Sequence, residues 1–350
     1  MAKGNRSGAR APGDTRPTLR SLADELGLSP ASVSLVLNRA PAARAIPQAT
    51  QERIRAAAER FNYRPNTIAK SLRHRRTLTV GVMVPEISEG YAALVMSGIE
   101  DALLQAGYLY FVASHRHRPD LVEEYPRLML DRAVDGLILV DTPLRAPLPV
   151  PVVAVSGHDD VDGLTNIVLD HAQAAAHALA HLKELGHRRI AYIKGQRFSS
   201  DTAVRWATIH EAARARKLPI DRALVGELEG ESPLSDLGYA VTRRLLAVAP
   251  PFTALFAFND ISALGAIRAI REAGLRVPED VSVVGFDDIA SAAYQNPGLT
   301  TVRQPLYEMG QRAADTLVAR MERPDQPVPQ TISLQPSLVV RGTTARARAR

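Results

Sequence analysis

Apolar residues recur at helical spacing in three short stretches near the beginning of the chain. The first stretch follows Thr18, a residue that can cap a helix, and it ends at Gly27, which suits the left-handed position after one. The second begins at Ser29, a cap followed by a first-turn proline, and ends at Asn38, and the third covers about residues 50–61. Two helices joined through so short a turn predict a helix-turn-helix.

From residue 77 the pattern changes to short β-branched apolar runs that alternate with helical patterns. This alternation predicts an α/β body of parallel sheets covered by helices, and seven runs indicate two doubly wound subdomains rather than one. The runs are Thr79–Val84, Tyr108–Ala113, Gly136–Val140, Val152–Val155, Ile190–Ile193, Ala254–Phe258 and Val281–Phe286. Ligands of such folds bind at the carboxyl ends of the strands, where we expect a cleft.

The composition excludes several classes of protein. The chain has 350 residues, enough for two or three packed units, and 46% of them are hydrophobic. It has no cysteine, which excludes disulfides, thiolate metal sites and thiol catalysis and suits a reducing cytoplasm. No apolar run reaches the length of a membrane span, and the first residues do not resemble a secretory signal. We therefore predict a cytoplasmic protein with no membrane partner.

The formal net charge of +6 hides an uneven distribution of charge along the chain. Residues 1–76 carry 15 Lys and Arg against five Asp and Glu, whereas residues 77–340 carry 24 against 32. A basic head on an acidic body indicates a module that binds a polyanion, with the body repelled from it. The alternative is a solvated basic tail.

Sequence motifs of common enzymes are absent. The chain has no Walker A, G-x-S-x-G or H-E-x-x-H sequence. His177 and His181 lie four residues apart on a predicted helix, which suits a pair of metal ligands, but no third ligand accompanies them. We expect no enzyme activity, no cofactor and no metal. A transporter's solute-binding protein is the nearest alternative, but it would carry a secretory signal and lack the basic head.

Residues 18–76 resemble the head of the LacI/GalR family of bacterial regulators. The matching head segments, in the order and spacing of the family, are Thr18–Asn38, Tyr63–Asn66 and Ile68–Leu72. The body continues the match at Gly81–Pro85, Val134–Ile138, Leu185–Ile190, Phe258–Asp260, Gly285–Asp288 and Leu299–Pro305. The resemblance therefore covers about residues 18–342.

This resemblance implies a transcription regulator, a repressor, that binds double-stranded operator DNA as a homodimer. It also implies a periplasmic-binding-protein-like body that holds a small-molecule effector, most often a sugar, between its subdomains. No leucine heptads occur near the chain end, so we expect a dimer and not a tetramer. The predicted segments are a disordered basic tail (1–17), the helix-turn-helix domain (18–65), a hinge helix and linker (66–76), the first subdomain (77–170 and 302–332), the second (171–301 and 333–342) and a basic tail (343–350).

The second helix of the family's head reads bases in the major groove. The matching base-reading positions here are Pro30, Ala31 and Leu35. None can form a bidentate hydrogen bond to a purine, so direct readout would depend on apolar contact with thymine methyl groups. The polar residues left for phosphates and weaker base contacts are Ser29, Ser32, Ser34 and Asn38. The alternative is that Ala31 and Leu35 only pack within the head.

Residues 66–72 resemble the family's hinge helix, which forms on operator DNA in the minor groove. Leu72 matches the apolar wedge that is pushed between base pairs, and Lys70 and Arg73 lie beside it as candidates for phosphate contact. So short a helix is unstable alone, so we expect its folding to be coupled to DNA and to its dimer mate. The alternative is a plain basic linker.

The family's effector-binding pattern falls on Tyr91, Arg205, Asn259, Asp260 and Asp287. A guanidinium donates hydrogen bonds and a carboxylate accepts them, which suits the hydroxyl groups of a neutral polyol. A tyrosine ring can pack against the C–H face of a sugar. Each residue also has a structural alternative. The asparagine or either aspartate can cap a following helix, and the arginine can be a solvated charge.

Two positions depart from the family's sugar-binding pattern. Ser156 stands where an aspartate is frequent, and His171 stands where an asparagine is frequent. Family members that bind purines carry paired aromatic residues after the first strand, whereas Tyr91 is followed by Ala92, which disfavours a nucleobase. The sequence leaves open the effector, the operator, and whether the effector releases DNA or strengthens its binding.

Overall fold

The structure is a computed structural model that describes residues 17–38, 40–63, 76–87, 90–230, 234–248 and 251–348. The chain divides into two compact units, a head that ends at Thr77 and a body that begins at Leu78.

The head is a small helical domain. Its helices are α1 (Leu19–Leu26), α2 (Pro30–Leu37) and α3 (Gln48–Arg60), with a 3₁₀ turn at Pro41–Ala45. Thr18 caps α1 by accepting a hydrogen bond from the Ser21 amide, and Gly27 ends it with a φ of +66°. Leu22, Val33 and Ile54 are fully buried in the shared core. The predicted helix-turn-helix is confirmed.

The first subdomain of the body contains a six-stranded, fully parallel sheet with the order β11-β5-β4-β3-β1-β2. Its strands are β1 (Thr79–Val84), β2 (Leu109–Ser114), β3 (Gly136–Val140), β4 (Val152–Val155), β5 (Leu164–Leu169) and β11 (Thr331–Leu334), and its helices are α4 (Gly90–Gln105), α5 (Pro119–Asp131) and α11 (Leu306–Glu322). Helices α4 and α11 pack closely because Gly98 and Gly310 each lie against the backbone of the other helix.

The second subdomain contains a second six-stranded sheet with the order β12-β10-β9-β8-β6-β7, in which only β12 is antiparallel to its neighbour. Its strands are β6 (Ile190–Lys194), β7 (Val225–Glu227), β8 (Ala254–Phe256), β9 (Ser282–Asp287), β10 (Thr300–Arg303) and β12 (Ser337–Val339). Its helices are α6 (His171–Glu184), α7 (Ser200–Ala215), α8 (Leu234–Val248), α9 (Asp260–Glu272) and α10 (Ala290–Tyr294). The α/β fold of two parallel-sheet subdomains is therefore as predicted.

Five strands were not predicted from the hydrophobic pattern: β5, β7, β10, β11 and β12. Strands β7 and β12 have only three residues each, and β11 exposes alternate side chains at a sheet edge. Strand β10 is Thr-Thr-Val-Arg, which lacks an apolar run although three of its residues are buried. Such strands are stabilised by pairing with neighbours, and a pattern of apolar residues does not reveal that.

The chain crosses between the subdomains later than predicted at two places. Arg303 still pairs with Asp287 in the second sheet, and Leu334 still pairs with Leu169 in the first. The boundaries predicted at residues 301/302 and 332/333 are therefore corrected by two residues each, because the strand pairing continues to Arg303 and to Leu334. The remaining crossing follows β5, where the Asp170 side chain caps α6.

The predicted basic tail at 343–350 also needs correction, since residues 343–348 are described and pack on the second subdomain. The Thr343 side chain is fully buried, donates to the Val283 carbonyl and accepts from the Thr300 amide. Further along, the Ala347 amide donates to the Leu185 carbonyl. Backbone and hydroxyl hydrogen bonds hold this segment, and its arginine-rich composition concealed them.

Candidate DNA-reading surface and effector cleft

Helix α2 presents an uncharged surface to solvent. Ser29 caps the helix through the Ser32 amide, and its hydroxyl lies 2.9 Å from the Ser32 hydroxyl. Pro30 and Ala31 are exposed in the first turn. Both serine hydroxyls also remain on the surface of this turn. Their arrangement suits contacts with a DNA backbone, and Ala31 is not required for packing of the head.

The last turn of α2 is more constrained. Leu35 is half-buried and packs against the head core, which agrees in part with the packing alternative. The Asn38 amide nitrogen donates to both the carbonyl and the hydroxyl oxygen of Ser34, at 2.9 and 3.1 Å. This pairing leaves the Asn38 amide oxygen as an acceptor at the end of the helix. The predicted hinge residues Lys70, Leu72 and Arg73 lie outside the described residues.

The carboxyl ends of the two sheets in the body carry non-glycine residues with left-handed backbone. Asp141 follows β3 with φ 41°, Ser156 follows β4 with φ 55°, and Asp287 ends β9 with φ 114°. Such conformations cost free energy and concentrate at functional sites. Here they point to the strand ends as the candidate effector cleft.

Arg205 lies at the second subdomain's side of the cleft, held between aromatic rings. Its guanidinium carbon lies 3.8 Å from the ring centre of Phe286 and 4.4 Å from that of Phe258. One terminal nitrogen donates to the Phe258 carbonyl at 2.6 Å, and the other donates to Asp201 Oδ2 at 2.9 Å. Nε is buried with no partner among the described residues. Arg205 is thus not the solvated charge of the alternative interpretation.

Asp201 lies one turn before Arg205 on α7 and contacts three side chains among the described residues. Its Oδ1 lies 2.8 Å from Nε2 of His158 and 3.1 Å from Nε2 of His171. Burial raises the pKa of Asp201, but the contacts with His171, His158 and Arg205 outweigh it and hold that pKa well below its usual value. His158 belongs to the first subdomain and Asp201 to the second, so this contact crosses the cleft.

Asp141 makes a second set of contacts across the cleft. Its carboxylate accepts hydrogen bonds from the Ser200 amide at 3.0 Å, from the Ser200 hydroxyl at 2.6 Å and from the Ser199 hydroxyl at 3.2 Å. A carboxylate of one subdomain therefore caps the first turn of α7 in the other. Burial, together with the charge of Asp201, raises the pKa of Asp141 to about 6.

Tyr91 enters the same region from α4. Its hydroxyl donates to Ser156 Oγ at 2.7 Å, and burial raises its pKa well above the usual value, with further contributions from the charges of Asp201 and Asp141. Tyr91, Arg205 and Asp287, three of the five residues predicted to bind an effector, therefore lie in one region of the body. Their contact with an effector stays a prediction.

Comparison with known proteins agrees with this geometry. Residues 18–66 match the family described as Bacterial regulatory proteins, lacI family, and residues 179–344 match the Periplasmic binding protein-like domain. A curated relative, HTH-type transcriptional repressor PurR of Haemophilus influenzae, is 31% identical over 335 residues, which cover 93% of this chain and 97% of the relative. The repressor of the same name from Aliivibrio fischeri strain MJ11 is 32% identical over 93% of this chain and 98% of its own.

The chain belongs to the LacI family. Among solved structures, a lac repressor dimer bound to operator and the anti-inducer ONPF is similar with a TM-score of 0.82 and 29% identity, over 95% of this chain and 100% of that one. A transcriptional regulator CelR–cellobiose complex is similar with a TM-score of 0.69 and 31% identity, over 94% and 100%. This LacI-family chain is a DNA-binding transcription regulator and not an enzyme. No helix in its described ranges has the length and apolarity of a membrane span.

Two effector residues predicted for this LacI-family chain also make contacts within the second subdomain. The Asn259 side chain caps α9, accepting from the Ser262 amide at 2.9 Å. Asp260 is fully buried, and its two carboxylate oxygens accept from the Thr301 hydroxyl at 2.5 Å and the Ile289 amide at 2.9 Å. Asp260 is therefore engaged through both its oxygens inside the second subdomain, and its predicted contact with an effector stays a prediction. The oxygen of Asn259 is likewise occupied.

Asp287 does not cap α10, because the N-cap residue is Ile289 and no side chain caps this helix. Oδ1 of Asp287 accepts a hydrogen bond from the side-chain amide of Gln304 at 2.6 Å. Burial raises the pKa of Asp287 well above its usual value, although Arg205 acts in the opposite direction.

Sequence reasoning missed Asp141, His158 and Asp201 as parts of the cleft. Asp201 had one available signal, since it precedes Arg205 by four residues and so shares its helix face. Asp141 follows a predicted strand directly, which is where ligand sites of this fold occur. His158 lies in a loop, and no spacing connects it to residues more than forty positions away.

Asp260→Asn should make the body less sensitive to rising pH. Burial raises the pKa of Asp260 to about 7, whereas an unfolded aspartate has a pKa of about 4. The contribution of Asp260 to the free energy of unfolding is therefore fully present below about pH 4, and it is lost as pH rises through about 7. We expect the melting temperature of the parent to fall more than that of the variant between pH 4 and pH 8, whatever the variant loses because an amide nitrogen cannot accept a hydrogen bond. An equal fall in both proteins would contradict the assignment.

Proposed function

We propose that this protein is a repressor that binds operator DNA as a homodimer and that a hydroxyl-bearing small molecule, of the sugar class, binds between its body subdomains and changes that binding. The observation that carries the proposal is the convergence of Tyr91, Arg205 and Asp287 at the facing strand ends. We expect the protein to act in the cytoplasm, where the operator is.

The polar groups of the cleft support a polyol as the effector. Arg205 Nε is a buried donor with no partner among the described residues, and Asp287 is a carboxyl group beside it. Together they offer one donor and one acceptor of the kind that fixes adjacent hydroxyl groups. Similar proteins of solved structure were determined with cellobiose and with ribose, at 31% and 27% identity.

A planar heterocycle is the second candidate effector. The aromatic side chains of Tyr91, Phe258 and Phe286 gather in the same region, and such rings stack well on flat ligands. A thermal-shift screen should therefore contain sugars and purine bases. A ligand that binds only the folded body raises its melting temperature.

The second subdomain offers a route from effector to DNA. The contacts of Asp141 and His158 with the first turn of α7 hold the two subdomains together. A ligand that binds one arrangement of the subdomains more tightly shifts their equilibrium by that difference in affinity. If the hinge helices form only when paired on DNA, this shift changes operator affinity.

Exposed apolar side chains support a dimer. Strand β2 lies at the edge of the first sheet, and Leu109 and Phe111 point to the same side of it, 61% and 43% exposed. Leu104 on α4, which precedes β2, is 73% exposed. An apolar edge strand of this kind is normally covered, and a second copy of the chain would cover it.

Leu109→Glu should convert the dimer to a monomer and weaken operator binding, because a buried charge would face an apolar surface in the interface. Light scattering at micromolar protein concentration measures the number of chains per particle directly. Leu128→Glu on α5, a site 36% exposed and outside this strand, is the matched control. Four chains per particle for the parent, or an unchanged dimer for the variant, would contradict the proposal.

Leu72→Ala and Lys70→Ala should separate the two components of DNA binding. The operator sequence can be found by selection from random DNA. The affinity of the parent protein for it should fall by roughly 10³–10⁵ between about 50 and 200 mM salt. Loss of the wedge should remove specific binding and leave the salt-dependent part. Loss of the lysine should weaken binding to all sequences and reduce the salt slope. An alanine wedge variant that binds and bends operator like the parent would refute the hinge assignment.

Arg205→Lys should weaken effector binding by roughly tenfold or more, because an ammonium cannot reproduce a guanidinium fork held between two rings. The lysine keeps a positive charge beside Asp201, whereas alanine would leave that buried carboxylate without its ion pair. Isothermal titration with the ligand found in the screen measures the change. Arg214→Lys, exposed on the same helix, is the control. Equal dissociation constants for the parent and both variants would show that Arg205 does not bind the effector.

A further inference from the structure

Three potential metal ligands meet at one point of the body. Nε2 of His158, Nε2 of His171 and a carboxylate oxygen of Asp201 all lie within 4.8 Å of one another. They come from three separate segments: the loop after β4, the first residue of α6 and the first turn of α7. The side chains of His171 and Asp201 are 3% and 6% exposed, and that of His158 is 23% exposed. The cluster is thus buried but reachable from one side.

Two of the three distances among these atoms match ligands of a single ion. Two ligands that are each roughly 2.1 Å from an ion, at right angles, are about 3 Å apart. The Asp201 oxygen lies 2.8 Å from one imidazole nitrogen and 3.1 Å from the other. Two histidines and one carboxylate on one side of an ion leave its remaining positions open, an arrangement suited to divalent first-row transition metals.

We propose that His158, His171 and Asp201 bind a divalent transition-metal ion of the Zn²⁺, Ni²⁺ or Co²⁺ class, which joins the two subdomains. The ligand from the first subdomain is His158, and Asp201 comes from the second, so the bound ion holds the cleft closed. The ion replaces the hydrogen bonds that both imidazoles make to Oδ1. Each neutral ring then carries its proton on Nδ1 and coordinates through Nε2.

Arg205 supports this site and does not occupy it. Its guanidinium binds Oδ2 of Asp201 at 2.9 Å, which orients the carboxylate and leaves Oδ1 for the ion. Around the cluster, among the described residues, stand the carboxyl groups of Asp141, Asp201 and Asp287 and the guanidinium of Arg205.

The test is titration of the full-length, EDTA-treated protein with Ni²⁺, without DNA or sugar. We expect one ion per chain, and a rise in melting temperature of about 5 °C when the ion exceeds its dissociation constant by about 100-fold. His158→Ala should weaken binding by roughly 10- to 100-fold. Asp201→Asn should weaken Ni²⁺ binding to the same extent. If the Asp201 variant fails to fold, the His158 variant still tests the site, because His158 is partly exposed. Co²⁺ should give visible absorption bands that are lost in the same variants.

His210→Ala is the matched control, because His210 is an exposed histidine on the same helix as Asp201. It should bind Ni²⁺ as the parent does. No saturable binding by the parent, unchanged binding by His158→Ala, or an equal loss in the His210 variant would overturn the proposal and identify the cluster as a plain hydrogen-bonded network. Because these measurements use no operator and no sugar, their failure leaves the proposed regulatory function untouched, and failure of that function leaves the metal site untouched.

Discussion

The buried carboxylate of Asp201 is the interaction on which the arrangement of the body depends. A carboxylate taken out of water is costly unless it is paired and hydrogen-bonded. Arg205, His158 and His171 supply those partners, and they come from both subdomains. The need to compensate one charge therefore determines where α7 begins relative to the first sheet.

Asp141 acts on the same helix from the opposite direction. It accepts hydrogen bonds from Ser200 at the beginning of α7, so a helix of the second subdomain is capped by the first. Opening the cleft would break these hydrogen bonds and leave the groups exposed to water or without partners. A ligand that bridges the two subdomains would therefore favour the closed arrangement. The same few side chains therefore hold the two subdomains together, and they are the groups through which the proposed effector would act.

The head is a small domain with a small core. Its core is built from small apolar side chains of three short helices, and its recognition helix carries no charged residue. If α2 reads bases as proposed, an uncharged helix surface would depend on shape and apolar contact, and attraction to phosphates would come from basic residues elsewhere in the head.

The sequence by itself determined the family, the helix-turn-helix and the two parallel-sheet subdomains. It did so because buried strands, helix caps and family motifs are local signals. It also predicted Tyr91, Arg205 and Asp287 as effector-binding residues, and the structure places the three in one region of the body. Only the tertiary structure decided that Asp260 is buried with internal partners and that residues 343–348 pack against the second subdomain.

The tertiary structure also brought His158 to Asp201. Burial and pairing depend on which segments become neighbours after folding. The chain passes between the two subdomains three times, so neighbours in the cleft are distant in sequence. Local patterns of hydrophobic and polar residues therefore carry no record of these contacts.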